Sequence, residues 1–225
     1  MNGETKTPEI QPFAVKDCAL IAIATGIQAY NLRELRDKLT NIHPGSIYYH
    51  FWGSLLFPRF EEPEFINDFA AWAYYSLHDQ ALAERLAVID PTKFADIEEL
   101  RQELIEEIEE RLYETEIVPW ARPGEQFHFK RSQIVVFDTF KRITEPKELL
   151  SVLPTFTEGS VFYHFIDARR RTSGGEDDFR AWLVGFGDTY TDLCHLIANI
   201  DPYFTTLAEL RRKLSDLFQT YFRER

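Results

Sequence analysis

The sequence predicts a mainly α fold built from one helical unit present twice. Three observations carry that expectation. First, motifs recur in the same order: Phe13-Ala14-Val15-Lys16 with Phe127-His128-Phe129-Lys130, Gly45-Ser46-Ile47-Tyr48-Tyr49-His50-Phe51 with Gly159-Ser160-Val161-Phe162-Tyr163-His164-Phe165, and Asp68-Phe69-Ala70-Ala71-Trp72 with Asp178-Phe179-Arg180-Ala181-Trp182. Ile89-Asp90-Pro91 then matches Ile200-Asp201-Pro202, and Glu99-Leu100-Arg101 matches Glu209-Leu210-Arg211. Second, apolar residues fall at helical spacing in long stripes. Third, capping side chains stand where those stripes begin. The expected architecture is an internally duplicated helical unit. Two copies pack with a pseudo-two-fold relation, each opened by a possible short N-terminal strand. The expected layout is a loose leader at 1–12, copy one at 13–112, a linker at 113–126 and copy two at 127–222.

Each element has its own warrant. The leader is polar and contains Pro8 and Pro12. Phe13-x-Val15 and Phe127-x-Phe129 alternate as a strand does. Asn31-Leu32-Arg33-Glu34 reads as a capping box, with Leu32, Leu35 and Leu39 behind it. Ser46 and Ser160 can cap the next helix, which places Ile47, His50, Phe51 and Leu55 on one face. Residues 66–77 and 79–88 read as two further helices, with Phe69, Trp72, Leu82 and Leu86 inward. Asp96-Ile97-Glu98-Glu99 is another capping box, followed by Ile97, Leu100, Leu104, Ile108 and Leu112. Leu207, Leu210, Leu214, Leu217 and Tyr221 form the last stripe. The expected core is Phe51, Phe69, Trp72, Leu86, Leu100 and Leu104 with Phe165, Phe179, Trp182, Leu210 and Leu214.

Composition narrows the functional classes. The chain of 225 residues is 44% hydrophobic, with 19 Phe, 10 Tyr and 4 Trp, so it can bury a full core. No apolar run approaches the roughly 20 residues that span a bilayer. The start shows no basic region followed by an apolar one, so no secretory signal is expected. Cys18 and Cys194 occupy unmatched positions, which argues against a disulfide or metal framework and for a reducing cytoplasm. The net charge is -12. Residues 1–120 carry 10 Lys+Arg against 22 Asp+Glu, and residues 121–225 carry 15 against 15. Such a field disfavours nucleic acid and anionic membrane. The acidic run from Glu98 to Glu110 suits a solvated helix face, with a docking face for a basic partner as the alternative.

The chain resembles an uncharacterised family of bacterial and archaeal proteins known only as a domain of unknown function. The resemblance rests on Tyr49-His50-Phe51, Asn67-Asp68-Phe69-Ala70-Ala71-Trp72, Leu82-Ala83-Glu84-Arg85-Leu86 with Ile89-Asp90-Pro91, and Leu100-Arg101. The second stretch departs from it, with Asp177 where Asn67 stands and Leu193-Cys194-His195-Leu196 in place of Ala83-Glu84-Arg85-Leu86. The resemblance implies a soluble, helix-rich intracellular protein and brings no activity, cofactor or substrate.

Among polar residues, His50 with Asp68 and His164 with Asp178 invite a function most, because a carboxylate can orient an imidazole and raise its basicity. Three readings compete. The carboxylate can satisfy a buried ring N–H or cap its own helix, and this structural reading is preferred. The pairs can serve a ligand or metal, which would need all four side chains together. Or His50 can act as the base of a hydrolase with Asp68 as its orienter. Neither copy supplies within itself a local His-x3-His, Glu-x-x-His or Cys-x-x-Cys, so no metal or other cofactor is expected. His78, His128 and His195 are scattered and read as surface residues. There is no nucleophile elbow and no phosphate loop. Arg169-Arg170-Arg171 could hold an anion, although a solvated loop explains them as well. Trp52 and Tyr74 do not recur and are the better candidates for exposed aromatic contacts. The expected function is non-enzymatic: a cytoplasmic binding or regulatory protein. Its partner, protein or small ligand, and its oligomeric state stay open.

Overall fold

The computed structural model describes residues 10–56, 64–172 and 174–224. Most of the expected leader, residues 57–60 of the loop after Leu56, and Ser173 lie outside the described residues.

Two strands are far longer than the sequence suggests. β1 runs Phe13–Ala29 and β2 runs Phe127–Ile143, each 17 residues. They pair with each other in a two-stranded antiparallel sheet. The first half of the chain carries α1 (Leu32–Leu39), α2 (Pro44–Trp52), α3 (Asp68–Tyr75), α4 (Gln80–Ala87) and α5 (Ile97–Glu114). The second half carries α6 (Leu149–Val152), α7 (Glu158–Val161), α8 (Asp178–Leu183), α9 (Thr191–Ala198) and α10 (Leu207–Arg223). The fold is therefore mixed α/β, not the mainly α, internally duplicated architecture expected. The elements do not repeat. The eight-residue α1 is followed directly by the nine-residue α2. The corresponding stretch of the second half is 3₁₀ (Pro146–Glu148), the four-residue α6, 3₁₀ (Leu153–Thr155), the four-residue α7 and a π turn (Phe162–Ile166). Matched motifs report which side chains are buried, and backbone hydrogen-bonding pattern is a separate property.

Two compact units are present. One comprises residues 19–135, the other residues 1–18 with 136–225. Each strand is shared between them by sequence. In the first unit, the Thr25 hydroxyl donates to the Phe129 carbonyl at 2.7 Å. In the second, the Thr139 hydroxyl donates to the Val15 carbonyl at 2.5 Å. The expected linker is pinned within the first unit. The Ala121 amide donates to the Tyr30 carbonyl at 2.8 Å, and the Trp72 indole donates to the Glu125 carbonyl at 2.8 Å.

Helix starts follow the sequence with small shifts. Asn31 accepts from the Glu34 amide at 3.0 Å, while the Glu34 carboxylate reaches back to the Tyr30 amide at 3.0 Å. Asp96 and Glu99 do the same, with Glu99 accepting from Ala95. Ser46 is not a cap. His43 caps α2, and the Ser46 hydroxyl instead donates to the Lys130 carbonyl at 2.6 Å. Thr157, not Ser160, caps α7. Asn67 and Asp177 cap α3 and α8, which leaves Asp68 and Asp178 at the first helical position and free to face elsewhere. Gly159 permits a close approach: a Cβ there would sit 2.2 Å from Asp17 Oδ1 and 2.3 Å from the Cys18 carbonyl.

The expected core is buried except Trp182, which is half-buried. On α10 the buried stripe passes through Phe218 instead of Leu217. Trp52 is buried rather than exposed, and Tyr74 is half-buried against Phe65 and Tyr75. Cys18 is buried, donates to the Gly159 carbonyl at 3.3 Å, and has its thiol pushed up to about 12, chiefly by burial, so it is a poor nucleophile. Among the described residues no helix is long and apolar enough to cross a membrane.

Candidate functional site

His50 stands on α2, inside the unit of residues 19–135. Pro44 and the His43 cap fix where α2 begins, and Asn67 fixes where α3 begins, so His50 meets Asp68. His50 Nδ1 lies 2.8 Å from Asp68 Oδ2. The other ring nitrogen is also engaged: the Lys130 amide donates to Nε2 at 3.1 Å. A backbone amide can only donate, so Nε2 must present its lone pair. Nδ1 therefore carries the hydrogen and donates it to the carboxylate. The ring is neutral and has one tautomer. Phe127 and Phe69 pack against it, with ring centroids 4.7 and 5.3 Å away. This burial lowers the His50 pKa below its ordinary value, against the opposing pull of Asp68.

The second pair, within the other unit, has the same connections. His164 Nδ1 lies 2.7 Å from Asp178 Oδ2, and the Lys16 amide donates to His164 Nε2 at 2.8 Å. Phe13 and Phe179 flank the ring at 4.8 and 6.1 Å. Asp178 has a further partner, since Arg171 Nη2 donates to the same oxygen at 3.0 Å.

Both pairs fall within hydrogen-bond range, as their recurrence suggests, and each imidazole is fully used. A general base needs a free lone pair, and so does a metal ligand. Here each Nε2 lone pair is occupied by a strand amide. Among the described residues no three His, Cys, Asp or Glu side chains come together as a metal-binding group. The arrangement ties a helix to a strand on one side and to the start of the next helix on the other.

The other recurring polar residues end in similar ties. Arg101 donates to the Leu39 carbonyl and to Glu98. Arg211 donates to the Phe156 carbonyl at 2.7 Å. Asp90 accepts from the Thr92 amide at 3.0 Å and Asp201 from the Tyr203 amide at 2.8 Å. Lys16 and Lys130 act through their main chains, a role that no side-chain pattern announces.

The three consecutive arginines are taken up by partners within the chain. Arg171 donates to Asp167 at 3.0 Å, to the Tyr163 carbonyl at 2.8 Å and to Asp178, with its guanidinium 3.9 Å over the Tyr163 ring. Arg170 donates to Asp167 at 2.5 Å. Arg169 donates to the Phe165 carbonyl at 3.3 Å and lies 5.2 Å over that residue's ring. His78, His128 and His195 are exposed, as expected. What the matched motifs pass over is Arg131, which stands outside them. It lines an open cleft in the unit of residues 19–135 together with Asn41 and His43.

No curated protein matches the chain. Among solved structures it is similar to OrfY from Thermoproteus tenax, with 27% identity over 93% of this chain and 94% of that one and a TM-score of 0.80. A family model described as a family of unknown function, DUF5752, matches residues 10–219. With the match running over most of its length, the chain belongs to the DUF5752 family.

Proposed function

We propose that this chain is a non-enzymatic binding protein of the cytoplasm, in which the two His–Asp pairs hold the fold rather than perform chemistry. The observation that carries this reading is the closure of both imidazoles: Nδ1 donates to a carboxylate and Nε2 accepts from a strand amide. A hydrolase using His50 as base would first have to break the bond from the Lys130 amide and leave that part-buried N–H without its partner, at a cost of about 1 kcal/mol or more. The net charge of -12 supports a protein or small-ligand partner over nucleic acid or anionic membrane.

Ring ¹⁵N chemical shifts of His50 test the scaffold half of the reading. The expected result is a protonated Nδ1 and a bare Nε2 that does not titrate between pH 8 and 7. Native mass spectrometry after gentle purification tests the binding half by reporting a retained partner. Turnover of any substrate that disappears in a folded His50→Gln variant would overturn the proposal.

A further inference from the structure

Among the described residues, the half-buried and buried arginines other than Arg131 are tied down. Arg101 is held by Glu98, Arg111 by Asp79, Arg180 by Asp177 and Arg211 by the Phe156 carbonyl. Arg131 is different. It is half-buried, yet among the described residues its guanidinium has no hydrogen bond or ion pair. Its stem passes close to Gly45, where a Cβ would come within 3.2 Å of the Arg131 Cγ. The Ser132 hydroxyl donates to the Gly45 carbonyl at 3.1 Å, which anchors the strand beside that glycine.

Arg131 lines a cleft of about 270 Å³, together with Ile23, Ala24, Thr25 and Ile27 of β1 and Asn41, Ile42 and His43 from the α1–α2 connection. The wall is largely apolar and its polar edge consists mainly of donors. His43 Nδ1 accepts from the Gly45 amide at 2.9 Å, so in the neutral ring Nε2 carries the hydrogen. The Asn41 amide adds N–H groups. The Thr25 hydroxyl is already occupied, donating to the Phe129 carbonyl and accepting from the Ile27 amide. No Asp or Glu lines the cleft, although the chain has 37 of them. A pocket with a largely apolar lining and a few donors has the general character of a small-molecule site, and its size falls slightly below the usual range, which limits it to a small ligand.

We propose that this cleft binds a small amphipathic anion, with its carboxylate or phosphate on Arg131 and its short apolar body against Ile23, Ile27 and Ile42. The guanidinium fork suits either head group. The inference rests on the binding reading above and names the ligand class.

The test uses the full chain labelled with ¹⁵N, titrated with hexanoate, hexyl phosphate, acetate and hexylamine. Hexanoate or hexyl phosphate should shift the amides of residues 23–27, 41–45 and 131 saturably, and the tighter of the two identifies the preferred head group. Acetate should bind at least about tenfold more weakly, because the apolar contact is missing, and hexylamine should cause no such shifts. Arg131→Gln should weaken binding at least about tenfold at unchanged Tm, since one lost charge-assisted contact is worth roughly that factor or more. Arg33→Gln, an exposed control, should leave binding unchanged. No saturable shift with either anion, equal shifts with hexylamine, or an undiminished response in Arg131→Gln would each overturn the proposal. A partner retained in native mass spectrometry and equally retained by Arg131→Gln would sink this site while leaving the binding reading standing.

Discussion

The surroundings of His50 and of His164 share every bond to the ring and differ in what surrounds the carboxylate. Asp68 has 45% of its side chain exposed and, among the described residues, only the imidazole as ion-pair partner. Asp178 is 20% exposed and also holds Arg171, whose guanidinium covers Tyr163. Near Tyr49, the corresponding cation is Lys130, 5.9 Å from the ring centroid. The difference teaches which parts of the motif are required. The helix-to-strand tie through the imidazole is present in both settings, whereas the charge partner of the carboxylate is present in one. A catalytic pair would need the carboxylate environment controlled, because it sets the basicity of the ring. Two carboxylates treated so differently suit a mechanical role.

The largest effect expected separates the two tryptophans. Trp72 is buried and bonded to the Glu125 carbonyl, while Trp182 is half-buried and bonded to the Gln11 carbonyl at 2.9 Å. Trp72→Ala should cost about 3–5 kcal/mol, and Trp182→Ala about 1–3 kcal/mol because less apolar area leaves water on folding. Urea denaturation measures both, and equal losses would break the distinction.

The imidazoles come next. His50→Ala should cost about 2–4 kcal/mol, combining a cavity beside Phe69 and Phe127 with an unsatisfied Lys130 amide. His164→Ala should cost a similar amount, since the Lys16 amide is orphaned in the same way. A His50 variant that is nearly neutral while the His164 variant unfolds would show that the two ties are not mechanically alike.

Much of this was legible before the fold was seen. His50 and Asp68 are 18 positions apart, and His164 and Asp178 are 14 apart, yet both pairs could be proposed because the residue types recur in order. Caps were legible because they obey local rules, as at Asn31 and Asp96. The starts of both strands were legible at Phe13 and Phe127, but their length and pairing were not. Ile21, Ile23, Thr25 and Ile27 are typical strand residues, but Ile21 and Ile27 are exposed, so burial does not impose a clean alternation along β1. The pairing of β1 with β2 is a contact across more than 100 positions, as Thr25 to Phe129 shows, and no local pattern encodes it. The Lys16 and Lys130 amides as donors to the two imidazoles were invisible for a different reason. Main-chain amides belong to every residue but proline, so their use leaves no compositional trace.

A smaller effect should distinguish the carboxylates. Asp68→Asn should cost under about 1 kcal/mol, because an amide oxygen still accepts from Nδ1–H and the site is open to water. Asp178→Asn should cost about 1–2 kcal/mol, since the charge-assisted bond from Arg171 is weakened in a less exposed setting. The reverse order, read from thermal unfolding of the two variants, would mean that Arg171 is held mainly by Asp167 and the Tyr163 carbonyl.

The smallest effect is a pH dependence specific to His50. Burial lowers its pKa in the native state, so the unfolded chain takes up the proton first as pH falls. Between the native pKa and the unfolded value of about 6.5, the unfolded state binds more protons, and stability there must rise with pH. The contribution is therefore fully present above about pH 6.5 and is lost as pH falls through the native pKa, with a slope of at most about 1.4 kcal/mol per pH unit for one group. Protonation would also place a hydrogen on Nε2 opposite the Lys130 amide, which adds a geometric reason for the same sign. Stability of the wild type should be nearly flat from pH 8 to 7 and decline from about 6.5 to 5, above the range in which ordinary carboxylates titrate. His50→Gln should be less stable throughout but show a shallower decline in that window. A steeper decline in the variant, or a wild type that gains stability on acidification, would mean that the buried imidazole is charged in the native state and would reopen the question of what its second nitrogen does.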